Sequence, residues 1–221
     1  MTTAEIARML DHSVLKPEAS AADVDAGVAV VREWAIGYFC VQPCWVRRAA
    51  AGLRDTRARV VSVIGFPHGC DRTEVKVDAA RRAVDDGAAE LDMVINLGAL
   101  TSGDTSDVAS DIAAVVRTAP GVAVKVILET AVLTDAQKRL ACRIACDAGA
   151  AFVKTSTGFH AAGGADIASV RLMRAEVGPS VGVKASGGIR TWADMQSMLA
   201  AGANRIGTSA SAAILMEQAR G

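Results

Sequence analysis

Net charge is the first thing this sequence lacks: 24 lysines and arginines stand against 24 aspartates and glutamates, for a formal charge of zero. That removes the electrostatic case for nucleic acid or an acidic membrane surface as a partner. Long apolar runs are missing too. No stretch approaches the ~20 residues that span a bilayer, and the opening MTTAEIARMLDHSVLK carries acidic residues where a signal peptide would be apolar. The five cysteines, Cys40, Cys44, Cys70, Cys142 and Cys146, form no recognisable disulfide framework and leave one over. Free thiols in a cytoplasmic protein are the reading that follows. Cys142 and Cys146 lie four apart on an expected helix, as core residues do. The three histidines, His12, His68 and His160, are scattered without metal-ligand spacing, so no metal site is expected. No serine–histidine–acid arrangement is evident either.

What the chain does have is a repeated design. In AIGYFCV, DDGAAELDMVIN, DAGAAFVKTS and AAGANRIGTS, a helix is expected to end at a glycine (Gly37, Gly87, Gly149, Gly202) and a short apolar strand follows. Ser20, Thr134 or Asp135, and Thr191 are placed to open helices. Asp71 and Glu74 have capping-box spacing ahead of another. The strands RVVSVIGF, AELDMVIN, VAVKVILE, AAFVKTS, VGVKAS and NRIGTS are nearly continuous apolar runs, as in a parallel sheet covered on both faces.

With further strands around MLDHSVL and YFCVQ, eight strands alternate with helices. The pattern fits an α/β fold of the (β/α)8 TIM-barrel type in one domain, residues 1–221, with a short extra N-terminal helix. An open doubly wound sheet is the alternative. TSGDTSD, 101 to 107, is the most loop-like stretch.

Three of the six lysines, Lys125, Lys154 and Lys184, fall inside expected strands, where a charge without a partner is costly. Lys154 in AFVKTS and Lys184 in VGVKAS hold matching places on neighbouring strands, which lie ~4.8 Å apart. If both face inward, repulsion at roughly 5 Å and an effective dielectric of about 20 is about 3 kcal/mol, or roughly two pKa units. Desolvation acts in the same direction. One of the two is then expected to be largely neutral near pH 7, a nucleophile able to form a Schiff base with a carbonyl. Asp92 in ELDMVIN is the third member, either as an ion-pair partner of Lys125 or as a proton carrier beside the lysines. Gly187 and Gly188 follow the seventh strand and Ser209 the eighth. Barrels commonly bind phosphate there, although an ordinary turn would also use a glycine pair.

These segments resemble the deoxyribose-phosphate aldolases, a family of class I aldolases. The likeness runs in order from LDHSVLKPEAS through FCVQP, VIGFPHG, TEVKVDAA, ELDMVINLGAL, VKVILET, FVKTSTGF and VKASGGIR to RIGTSAS. It implies a (β/α)8 barrel that reversibly cleaves 2-deoxy-D-ribose 5-phosphate to acetaldehyde and D-glyceraldehyde 3-phosphate, with no metal or organic cofactor. By the resemblance Lys154 is the Schiff-base lysine, Lys184 its pKa-lowering neighbour and Asp92 the proton-transfer aspartate. Thr157, Gly158, Gly187, Gly188 and Ser209 match phosphate-loop positions, and Asp11 and Ser13 match positions near the sugar hydroxyls. Three features depart from the family pattern. Gln42 stands where asparagine is expected, and Ala210 where a second serine is common. No tyrosine matches the C-terminal one of some members, so water does its work or turnover is slower. A homodimer is the assembly to test for. Another Schiff-base aldolase or transaldolase, and a non-catalytic sugar-phosphate binder, are the competing readings. The binder has no need of paired lysines.

Overall fold

The apolar runs become eight parallel strands in the computed structural model, which describes residues 1–220. They are β1 (Leu10–Val14), β2 (Tyr38–Val41), β3 (Arg59–Ile64), β4 (Glu90–Val94), β5 (Ala123–Ile127), β6 (Phe152–Lys154), β7 (Gly182–Ser186) and β8 (Arg205–Thr208). Each pairs with its neighbours in sequence. β8 pairs back onto β1 through Leu10↔Ile206 and Asp11↔Gly207, which closes the barrel and excludes the open sheet. The helices are α1 (Thr3–Met9), α2 (Ala21–Glu33), α3 (Val46–Leu53), α4 (Thr73–Asp85), α5 (Leu97–Ser102), α6 (Thr105–Thr118), α7 (Asp135–Asp147), α8 (Ile167–Val177), α9 (Trp192–Ala200) and α10 (Ser211–Arg220). α1 is the short extra N-terminal helix. Among the described residues no helix is long and apolar enough to cross a membrane.

Helix starts follow the side-chain chemistry at three of the expected places. Ser20, Thr134 and Thr191 each close a capping box, with Asp23, Gln137 and Asp194 respectively. The expected Asp71–Glu74 box does not form. α4 starts at Thr73, and Arg72 before it makes no side-chain cap. Tertiary contacts hold the first turn of α4 instead: the Thr73 hydroxyl donates to Asp111 Oδ1 (2.9 Å), and Lys76 donates to Asp111 Oδ2 (2.6 Å) and to the Val94 carbonyl (3.1 Å).

Two further expectations are corrected. Gly87, Gly149 and Gly202 take positive φ after their helices, but Gly37 does not; Ala35 adopts the left-handed conformation there, at φ 50°. Gly37 serves close approach: a Cβ would lie 2.6 Å from the Arg8 carbonyl oxygen. The stretch 101–107 is mostly helical. Gly103, at φ 86°, turns the chain once between α5 and α6, and small polar residues are common at such helix ends.

Apolar side chains fill the shell between strands and helices. Inside the barrel the lining is divided. Leu15, Cys40, Val61 and Val63 pack on one side. Asp11, Glu90, Asp92, Lys125, Lys154, Lys184 and Arg205 are also inside, all buried.

Candidate active site

Strand register assembles the charges. Asp92 on β4 lies beside Lys125 on β5, and Lys154 on β6 lies beside Lys184 on β7. At the amino end of the strands, Arg205 lies over the Tyr38 ring, 3.3 Å from its centroid, and pairs with Glu90 at 2.9 Å. Lys125 bridges Glu90 (2.6 Å) and Asp92 Oδ1 (2.9 Å). The other Asp92 oxygen, Oδ2, accepts from Lys154 and from Lys184, each at 2.7 Å. Lys184 also donates to Asp11 Oδ2. Asp92 thus makes the ion pair with Lys125 and also touches both other lysines.

This interior chain holds four cations and three carboxylates. Lys125 and Lys184 each contact two carboxylates. Lys154 contacts one oxygen and shares it. Its claim on negative charge is the smallest of the three lysines. Burial works against the charge on Lys184, but Asp11 and Asp92 outweigh it and raise its pKa above the ordinary lysine value. Burial would likewise raise Asp92, but Lys125, Lys154 and Lys184 hold its carboxyl well below the usual range. Cys40 is nearby and is no rival nucleophile: burial, then Asp11 and Asp92, push its thiol up to about 12.

A cavity of about 720 Å³ opens above this chain at the carboxyl ends of the strands. Asp11, Ser13, Lys154, Thr157, Gly158, Lys184, Gly187, Gly188 and Ser209 all line it. Asp92 lies beneath, fully buried. Thr155 holds the lysine pair in place: its hydroxyl donates to the Ser186 carbonyl and accepts from the Ser186 N–H, both at 3.0 Å. Gly207 makes room, since a Cβ there would stand 3.0 Å from Lys184 Cε. Asp11 Oδ1 is buried without a partner among the described residues.

On the cavity's far wall, Gly158, Gly187 and Gly188 are all left-handed, at φ 82°, 93° and 83°. Their backbone N–H groups, and that of Ser209, make no hydrogen bond to any described residue. Thr157 is different, because its N–H and its hydroxyl both go to Glu129. Ala210 gives its N–H to Thr208 Oγ1 (2.9 Å), and Gln42 gives its amide to the Leu15 carbonyl (2.9 Å). Tyr38 is at the opposite end of the barrel, under Arg205.

Sequence reasoning missed four residues. Glu90 and Arg205 are charges within strands, the same signal that singled out the lysines. His12, whose Nδ1 lies 3.1 Å from Ser211 Oγ, has its pKa lowered by burial against the opposing field of Asp11. Glu129 carried no signal beyond following β5.

The chain matches the DeoC/LacD family aldolase profile over residues 6–215. It belongs to the DeoC/LacD aldolase family. It is 50% identical to deoxyribose-phosphate aldolase 1 of Bacillus licheniformis over 214 residues, 96% of each chain. It is 50% identical to the deoxyribose-phosphate aldolase of Streptococcus pneumoniae serotype 19F over 208 residues, 94% of each. Among solved structures, the tetrameric deoxyribose phosphate aldolase of Aeropyrum pernix superposes with a TM-score of 0.92 at 32% identity, covering 99% of this chain and 92% of that one. As a DeoC/LacD aldolase the chain needs a group that can engage a carbonyl. Lys154, at the cavity floor and 3% exposed, is an amine in that position.

Proposed function

We propose that this chain is a class I aldolase that reversibly cleaves 2-deoxy-D-ribose 5-phosphate to acetaldehyde and D-glyceraldehyde 3-phosphate, with Lys154 as the nucleophile. The observation that carries this reading is the shared Asp92 oxygen: two lysine nitrogens, each 2.7 Å from Oδ2, compete for one acceptor at the floor of the cavity. Lys184 keeps its proton through Asp11 and Asp92, and Lys154 is left to attack.

In the cleavage direction Lys154 Nζ adds to the C1 aldehyde, and loss of water gives a protonated imine. The C2–C3 bond breaks, its electron pair moves into the imine to form an enamine, and the C3 hydroxyl proton leaves to a base. Glyceraldehyde 3-phosphate departs. The enamine takes a proton at C2, and hydrolysis frees acetaldehyde and the amine. Asp92, Lys184 and water share the proton transfers. The unpartnered oxygen of Asp11 suits a sugar hydroxyl, with Ser13 beside it on the cavity wall. The free N–H groups of Gly158, Gly187, Gly188 and Ser209 suit a phosphate, which orients the sugar and contributes binding energy remote from the reacting bond.

The proposal includes residues 1–221 acting as one catalytic unit in the cytoplasm. It extends to self-association, for which the tetrameric Aeropyrum pernix protein is the precedent. Light scattering on purified protein tests for a homodimer. The activity is tested by following glyceraldehyde 3-phosphate release from deoxyribose 5-phosphate. No release from wild-type protein would refute the reading.

A further inference from the structure

Glu129 is buried, 1% exposed, and takes no part in the mechanism above. It holds the left-handed conformation, φ 55° and ψ 59°, that non-glycine residues rarely adopt. Both its neighbours are stitched to the end of β6. The Leu128 N–H donates to the Lys154 carbonyl and the Thr130 N–H to the Thr155 carbonyl, each at 2.9 Å. The left-handed turn lies between these two anchors. From there the carboxyl accepts the Thr157 hydroxyl at 2.5 Å and the Thr157 N–H at 3.2 Å and 3.3 Å. No lysine, arginine or histidine among the described residues pairs with it. Thr157 lines the cavity and Glu129 does not, so the carboxyl grips the loop from behind. The Thr157 hydroxyl also accepts the Phe159 N–H at 3.1 Å. Both donors of Thr157 are therefore spent inside the protein, and Gly158 between them carries the free N–H.

We propose that Glu129 is a positioning residue for phosphate selection. It fixes the Thr157–Phe159 turn so that Gly158 presents its N–H to the substrate phosphate, and it withdraws Thr157 from direct contact. This rests on the aldolase reading. A buried, strained carboxyl aimed at one residue of the loop is costly unless that loop must be held in one shape.

The test is a double-mutant cycle between Glu129→Gly and Thr157→Val, with Thr157→Ser as the conservative control. Glycine fits the left-handed backbone, so the carboxyl is removed without adding strain. If Glu129→Gly does not fold, Glu129→Gln serves in the cycle. For each variant, kcat/KM is measured for deoxyribose 5-phosphate and for unphosphorylated deoxyribose. The expected result is a loss of roughly tenfold on the phosphorylated sugar, mostly in KM, and a much smaller loss on the other. Glu129→Gly and Thr157→Val should give similar losses that do not add, and Thr157→Ser should restore most of the wild-type preference. Two results would overturn the proposal. If only Thr157→Val weakens phosphate use, Thr157 is itself the ligand. If both substrates suffer equally, Glu129 serves the fold alone. Failure of the aldolase reading shows separately, as wild-type protein that cleaves neither sugar.

Discussion

Lys154 and Lys184 face each other across β6 and β7 and place their amine nitrogens on one oxygen of Asp92, each at 2.7 Å. The two nitrogens are therefore no more than about 5.4 Å apart. They are not equivalent. Lys184 has Asp11 as a second carboxylate, and Lys154 has none. The asymmetry gives the two lysines different chemistry and underlies the expectations below.

Removing the neighbour's charge should move the pH response. Lys184→Met deletes a cation within about 5 Å of Lys154, and reductive trapping of acetaldehyde should need a higher pH than in wild type. Raising the pH should recover part of the lost rate. Lys184→Arg should rescue incompletely, because the planar guanidinium is larger and does not give up a proton. Profiles with the same midpoint but different heights would make Lys184 a proton donor or a positioning group.

The charge count makes a stability expectation. With one cation in excess, Lys154→Met strands no carboxylate and should leave the melting temperature close to wild type. Lys125→Met leaves Glu90 with Arg205 alone and takes the partner from Asp92 Oδ1, and a buried acceptor left unmade costs about 1–3 kcal/mol. Calorimetry on the two variants checks the contrast. An equal loss in both would mean that the four cations share the carboxylates evenly.

Acid stability should depend on Asp92. In the folded chain its carboxyl lies well below the usual range, while in the unfolded chain it titrates near 3.9. The unfolded state therefore takes up the proton first as pH falls. The contribution is complete above about pH 4 and is lost as pH drops toward the folded value. Asp92→Asn should be less stable at neutral pH and should show a shallower decline in acid. Urea midpoints from pH 7 down to pH 3 measure both. An unchanged acid slope would assign the decline to other carboxylates.

Bulk in the anion cradle should discriminate between substrates. A Cβ at Gly188 meets no protein atom within 4 Å, so Gly188→Val projects into open space, from a backbone at φ 83°. KM for deoxyribose 5-phosphate should rise far more than KM for a simple aldehyde. Equal losses would put the phosphate elsewhere.

Much of this was readable in the chain because the signals were local. A lysine in an apolar strand is costly wherever it stands, so Lys125, Lys154 and Lys184 announced themselves. Their matching places in AFVKTS and VGVKAS put Lys154 opposite Lys184. The rule that flagged the lysines applies equally to Glu90 and Arg205, and extending it would have revealed the whole alternating chain. Glu129 was not legible. Its importance comes from a left-handed turn and a contact 28 residues away, and neither leaves a trace in composition or spacing. Asp71 misled for a related reason. It has cap chemistry at cap spacing, but the Thr73 and Lys76 contacts with Asp111 decide where α4 begins.

The central claim is that Lys154, and not its neighbour, carries the substrate. The direct measurement is borohydride reduction of the wild-type protein in the presence of acetaldehyde, followed by digestion and mass spectrometry of the lysine peptides. One ethyl group on Lys154, with Lys184 and Lys125 unmodified, and no adduct in Lys154→Ala, is the result this account predicts. An adduct on Lys184, or an unmodified Lys154 in a protein that still cleaves deoxyribose 5-phosphate, would contradict it.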